Sequence, residues 1–181
     1  MDKAIHDSFE VFNSTDKTAI YEAYEHILKA TEEKADWAYE VWDRLKAELT
    51  NADAHRRSRA AQFLSGLAIS DPEKRILNDF PLIWKVTFDE KFVTARHSLQ
   101  SIWKIALAGA EQKKLVLEYL ADRFHSCTKE KHPAMIRSDI MESLRKLYEA
   151  RTDEGIRELA MELIESETDD KQKKKLIKVW K

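Results

Sequence analysis

Three arginines frame this chain. Arg57, Arg96 and Arg137 are each followed by apolar residues three, seven and ten positions later. The sets are Ala60, Leu64 and Leu67; Leu99, Trp103 and Ala106; and Ile140, Leu144 and Leu147. Spacings of three and four put each set on one face of a helix. Arg57 and Arg96 are 39 residues apart, and Arg96 and Arg137 are 41 apart. A helical unit of this length cannot bury its apolar face alone, but a stack of such units can. The frame therefore predicts an all-α fold, an α-solenoid of about five antiparallel helix pairs. The stretch Asp89 to Ala108 is its centre, with Phe92, Ala95, Leu99, Ile102, Trp103 and Ala106 on one face.

The scarcity of turn formers supports helices over strands. The 181 residues include only 3 Gly and 3 Pro, and 35% are charged. A β-protein needs more turn residues and more β-branched runs. A hydrophobic share of 43% is enough to fold. No apolar run is long enough to cross a membrane, and MDKAIHDSFEVF lacks the pattern of a secretory signal. The single cysteine, Cys127, leaves no internal disulfide and suits a reducing interior, so a cytoplasmic location is expected. One helical-repeat domain over residues 1–181 is expected, since no stretch has the composition of a linker.

Local signals divide the chain into about ten helices. Thr15 or Asp16, Asn51 or Asp53, and Thr152-Asp153-Glu154 stand where helix-capping side chains belong, and Asp169 and Asp170 precede a last basic segment. One helix is predicted over residues 31–49, with Trp37, Val41 and Trp42 on or near its stripe. Ser70-Asp71-Pro72 reads as a cap followed by proline at the first helical position. Pro81 predicts a kink or split near Asp79. Residues 89–108 read as one helix ended by Gly109, and Pro133 starts another running to Ala150. Trp37, Trp84 and Trp103 are assigned to the core, Trp42 to a partly exposed position, and Trp180 has no evident packing site.

The frame of Arg, then apolar residues at three, seven and ten, on every second helix and at this period, resembles HEAT-type repeats over about residues 34–167. The residue before the arginine is Arg56, Ala95 or Ile136, and only Ile136 fits the commonest version well. The resemblance implies architecture and leaves function open, because such repeats serve many ends.

In a two-helix repeat the second helices line the concave face. The expected binding groove is then formed by Arg56, Arg59, Arg96, His97, Gln100 and Lys104. These residues are basic and rich in hydrogen-bond donors, which suits an acidic protein or peptide segment. The frame arginines themselves are expected to be structural, bonding to carbonyls or to an acid of the next repeat. Charge is uneven: residues 1–50 carry 6 basic against 12 acidic residues, and residues 51–109 carry 9 against 6. That distribution does not suit a protein built mainly to hold a phosphate backbone.

The leading expectation is a non-enzymatic scaffold that binds a protein or peptide, with no membrane partner, cofactor or metal. His125, Cys127 and His132 lack a fourth ligand and an established zinc spacing. The alternative is a nucleic-acid-binding or DNA-repair protein, because HEAT-like folds include glycosylases that remove alkylated bases. That family's catalytic Asp and Trp pair has no matching positions here. Gly-rich phosphate loops, nucleophile elbows and HExxH motifs are also absent.

Overall fold

A computed structural model of residues 1–181 contains ten α-helices, three 3-10 segments and no strand. The α-helices are α1 (Lys3–Val11), α2 (Lys17–Ala30), α3 (Ala38–Glu48), α4 (Ala54–Leu67) and α5 (Arg75–Val86). They continue with α6 (Phe92–Ser101), α7 (Ala110–Ser126), α8 (Pro133–Ala150), α9 (Glu154–Ser166) and α10 (Asp170–Trp180). The aspartate caps work as local chemistry requires. Asp2, Asp16, Asp53, Asp153 and Asp169 each accept a backbone N–H from the first turn that follows.

The even-numbered helices pack in succession: α2 on α4, α4 on α6, α6 on α8, and α8 on α10. Small polar residues let them approach closely. Thr94 donates its hydroxyl proton to the Ala54 carbonyl, and Ser143 donates to the Leu99 carbonyl. The odd-numbered helices lie behind this row. Trp42 of α3 donates its indole N–H to Asp79 of α5 at 2.9 Å, and Trp84 of α5 meets Tyr119 of α7 at 5.2 Å. One core of 36 buried residues runs from Ile5 to Trp180.

The frame arginines tie the row together. Arg57 grips Asp89 with two bonds of 2.6 and 2.9 Å, and it also donates to the carbonyls of Asn51 and Ala52. Arg96 grips Asp139 at 2.9 and 2.7 Å. Arg137 reaches Glu167 at 2.7 Å and the Phe124 carbonyl at 3.0 Å. Each arginine therefore bonds an acid 30 to 43 residues further on, as expected of a structural role. The acids lie deeper than the arginines: the Asp139 side chain is 1% exposed and that of Glu167 is 3%. A buried carboxylate of this kind needs its partner, because desolvating it alone would cost several kcal/mol.

Several local expectations are corrected. Helix α3 begins only at Ala38, because Thr31 to Trp37 forms turns. There the Ala35 N–H bonds to the Ser70 hydroxyl instead of a helical carbonyl. Pro72 lies in a turn before α5 and is not its first residue. Asp71 nevertheless acts as a cap, accepting the Ile76 N–H at 2.7 Å across a left-handed Lys74 (φ 55°). Helix α5 runs unbroken through Pro81, with Asp79, Phe80 and Ile83 buried.

The remaining corrections concern the central helix and three tryptophans, Trp103, Trp42 and Trp180. The predicted helix over 89–108 starts at Phe92 and changes after Ser101 to a 3-10 segment, Ile102–Ala108. Ser98 and Ser101 turn their hydroxyls onto the carbonyls of Thr94 and Ser98, a competing use of helical acceptors. With ~3 residues per turn instead of 3.6, Ile102 and Ile105 share the inner face and Trp103 is turned aside. Trp103 is therefore only half-buried. Trp42, by contrast, is fully buried, because Ala38, Val41, Trp42 and Leu45 form the inner stripe of α3. Trp180 also finds a place, packed on Tyr148 and 8% exposed.

Candidate functional site

The six residues expected to form a groove lie on α4, α6 and the 3-10 segment that follows α6, but they are not one uniform patch. Arg56 is tied to Glu48 at 2.9 Å and to Asn13 at 3.1 Å. Arg96 is spent on Asp139, and Gln100 donates to the same carboxylate at 2.8 Å. His97 is exposed. Arg59 and Lys104 are half-buried and have no hydrogen-bonding or ion-pairing partner in the chain. Burial lowers the pKa of Arg59, and nearby Arg56 pushes the same way against Asp53. Burial likewise lowers Lys104, with Glu32 opposing and Lys146 assisting. The positive charge along these helices thus reduces to two separate unpaired cations.

A larger feature lies at the edge of the row, where the turn between α5 and α6 meets the turn between α7 and α8. A cleft of about 330 Å³ opens there, lined by 14 residues. Its apolar surface comes from Phe88, Phe92, Ala95, Leu99 and Ile136. Phe88 is 51% exposed and Phe92 is 40% exposed, with Val93 and Met135 also exposed beside them. The His132 ring meets Phe92 edge-on at 4.8 Å. Burying two phenylalanines would stabilise the fold, so leaving both at a cleft mouth runs against the usual partition of large rings.

Ion pairs make the walls of this cleft rigid. Arg123 is 4% exposed and donates to the Thr87 carbonyl at 3.0 Å, the Thr87 hydroxyl and Glu130. Its guanidinium lies 3.7 Å from the Phe88 ring centroid, fixing that ring from below. Asp89 belongs to Arg57 and Asp139 to Arg96. Burial works to raise the Asp89 carboxyl, but its bonds to Arg57 and the Lys91 N–H outweigh this and hold it below the ordinary aspartate range. With these pairs formed, Lys131 is the charged side chain of the lining without an ion-pair partner, and Glu90 pairs only with the exposed Lys91 at 3.8 Å.

The sequence reading missed Arg123, Thr87 and Phe88, and it placed Phe92 on the apolar face of its helix, where the structure leaves the ring 40% exposed. The signal for Arg123 was present: Gln112, Val116, Leu120, Arg123 and Cys127 recur at three and four and are all buried. A charge inside an apolar stripe must have a buried partner. Asp79 and Asp139 carry the same signal on α5 and α8. Cys127 is buried with its thiol directed at the Phe124 carbonyl, and burial pushes its pKa up, away from the thiolate form that metals and electrophiles require.

No helix is long and apolar enough to cross a membrane. A scan of the chain against protein-family models gives no match, and a search of curated proteins gives none either.

Proposed function

We propose that this chain is a HEAT-like α-solenoid, built of helix pairs, that acts as a non-enzymatic scaffold and binds a protein or peptide segment. The succession of even-numbered helices and the Arg-to-acid pairs between them support the repeat reading. The observation that carries the binding reading is the cleft of about 330 Å³ with Phe88 and Phe92 exposed at its mouth. A cavity of this size is at the small end of ligand pockets, roughly 300–1,000 Å³. It suits one large aromatic or aliphatic side chain of a partner, the kind of anchor that dominates protein interfaces. Its walls are already locked by ion pairs, so docking would order few side chains.

The charge pattern favours a polypeptide over nucleic acid. A phosphate backbone is held by a run of free cations, whereas Arg56, Arg96 and Arg123 are each neutralised by a carboxylate. The test is to pan a random-peptide display library against the immobilised protein and map recovered peptides by amide NMR shifts. Peptides should carry an aromatic or large aliphatic anchor and shift Phe92, Ala95, His132 and Ile136. Phe92→Ser should abolish that binding with the fold intact. Recovery of no peptide, or shifts confined to other faces, refutes the proposal.

A further inference from the structure

A second, smaller cavity lies where α1, α3 and α4 meet. It measures about 30 Å³, and its floor is Phe9, Phe12, Leu45 and Phe63. Three guanidinium groups, those of Arg44, Arg56 and Arg59, and the Glu48 carboxylate stand round it. Two are engaged within the chain: Arg56 with Glu48 and Asn13, and Arg44 more loosely with Glu10 at 3.5 Å and the Phe9 carbonyl at 3.4 Å. Arg59 is different. Its guanidinium lies 4.5 Å from the Phe12 ring centroid, and it donates no hydrogen bond to the protein.

A guanidinium laid on an aromatic ring has its direction set while its N–H edge remains free, the arrangement that bidentate recognition of an anion requires. Half-buried, it has lost part of its hydration without gaining an ion pair, and burial accordingly lowers its pKa. Charge narrows the choice of anion. Arg44 and Arg56 are paired with Glu10 and Glu48, so one free positive charge remains at the cavity. A singly charged carboxylate balances it, whereas the nearly double charge of a phosphate group would leave an excess beside Glu48.

We propose that Arg59, stacked on Phe12 at the mouth of this cavity, receives a carboxylate of a bound polypeptide. The apolar floor meets the methylene next to that carboxylate, and Arg59 alone supplies the charge, since Arg56 is already paired with Glu48. The site rests on the reading of the chain as a peptide-binding scaffold and names the partner's chemistry. It shares no lining residue with the Phe88–Phe92 cleft.

The experiment titrates the full chain with four short peptides while following the Arg59 Nε–Hε signal by NMR. Acetyl-Gly-Gly-Glu-Gly-Gly-amide carries only a side-chain carboxylate, and acetyl-pentaglycine with a free C-terminus carries only a terminal one. The same peptides with Gln or phosphoserine in place of Glu are the controls. A carboxylate peptide should move the signal downfield to saturation, with the Gln peptide silent and the phosphoserine peptide weaker. Whichever carboxylate peptide binds more tightly identifies the source. Arg59→Lys keeps the charge but loses the planar fork, and should weaken binding about tenfold, or 1.4 kcal/mol. An unmoved Arg59 signal, equal response to the Gln peptide, preference for phosphoserine, or unchanged affinity in Arg59→Lys overturns the proposal. None of these probes has a side chain for the Phe88–Phe92 cleft, so failure here leaves the display result standing, and failure there leaves this titration standing.

Discussion

Replacing Asp139 with alanine tests the inter-helix pairs most directly. Its carboxylate is 1% exposed and accepts three charge-assisted bonds, two from Arg96 and one from Gln100. Each such bond contributes about 1.5–3 kcal/mol when counted singly, but bonds to one carboxylate do not add. Breaking a buried pair by removing one partner costs about 3–5 kcal/mol. The Arg96 side chain is 34% exposed and can turn partly to water, which places the expected loss at the lower end, about 3 kcal/mol. For a chain of this size each kcal/mol moves Tm by about 2–4 °C, so a fall of about 6–12 °C is expected. Urea denaturation followed by tryptophan fluorescence measures it as a shift in midpoint at constant slope. A loss below about 1 kcal/mol would refute the assignment of this pair as the link between α6 and α8. The double variant Arg96→Met with Asp139→Leu separates causes. If the single variant suffers from unpaired polar groups, the double should recover most of the loss. A double as unstable as Asp139→Ala would mean that packing at α8, not charge, is responsible.

Three further outcomes are expected. Trp42→Ala should cost about 3–5 kcal/mol in urea melts, because the side chain is fully buried and its loss also strips Asp79 of a donor; Trp103→Ala should cost clearly less, and equal losses would refute the 3-10 geometry that turns Trp103 aside. Gly66→Ala should destabilise by about 1–3 kcal/mol, since an added Cβ would meet Thr31 Cβ at 2.7 Å and the Thr31 hydroxyl closer still. Thr31→Ala in that background should restore part of the loss, and a neutral Gly66→Ala would mean that α2 and α4 are not in contact there. Asp89 has a lowered folded pKa, so its stabilisation is fully present above the ordinary aspartate value near ~4 and is lost as pH falls through the folded value. Stability measured from about pH 6 down to 2 should therefore fall less steeply in Asp89→Asn than in the parent, and parallel curves would refute a native-state role for the Arg57–Asp89 pair.

Features governed by contacts within one helical turn could be read directly from the sequence. The capping aspartates are of this kind: Asp53 meets the His55 N–H and Asp169 meets the Gln172 N–H, so chain connectivity alone brings the partners together. The apolar frame is another, because periodicity sets which side chains share a face. It located the inner residues of α4 and α8 correctly, as Ala60, Leu64, Leu67, Ile140, Leu144 and Leu147 are all buried. The frame also singled out arginines that needed acids, though not which acids. Asp89, Asp139 and Glu167 lie 30 to 43 residues away, and nothing local marks one carboxylate above another at that range.

Only the packed molecule settled what depends on neighbouring helices. The spacing of α3 left Trp42 on or near its stripe without fixing its depth, and Trp42 turned inward where Asp79 of α5 accepts its indole N–H. The shift to 3-10 geometry after Ser101 rotated Trp103 away from a face that a regular helix would have kept. The cleft has the same origin: Phe88 and Arg123 are separated by 35 residues, and their stacking exists only because two turns meet at one edge. A period of ~3.6 fixes direction around a single helix axis but carries no term for the distance between two such axes. Intervals of 30 residues and more are therefore decided by tertiary packing, where burial and ion pairing choose among faces that the local pattern leaves equivalent.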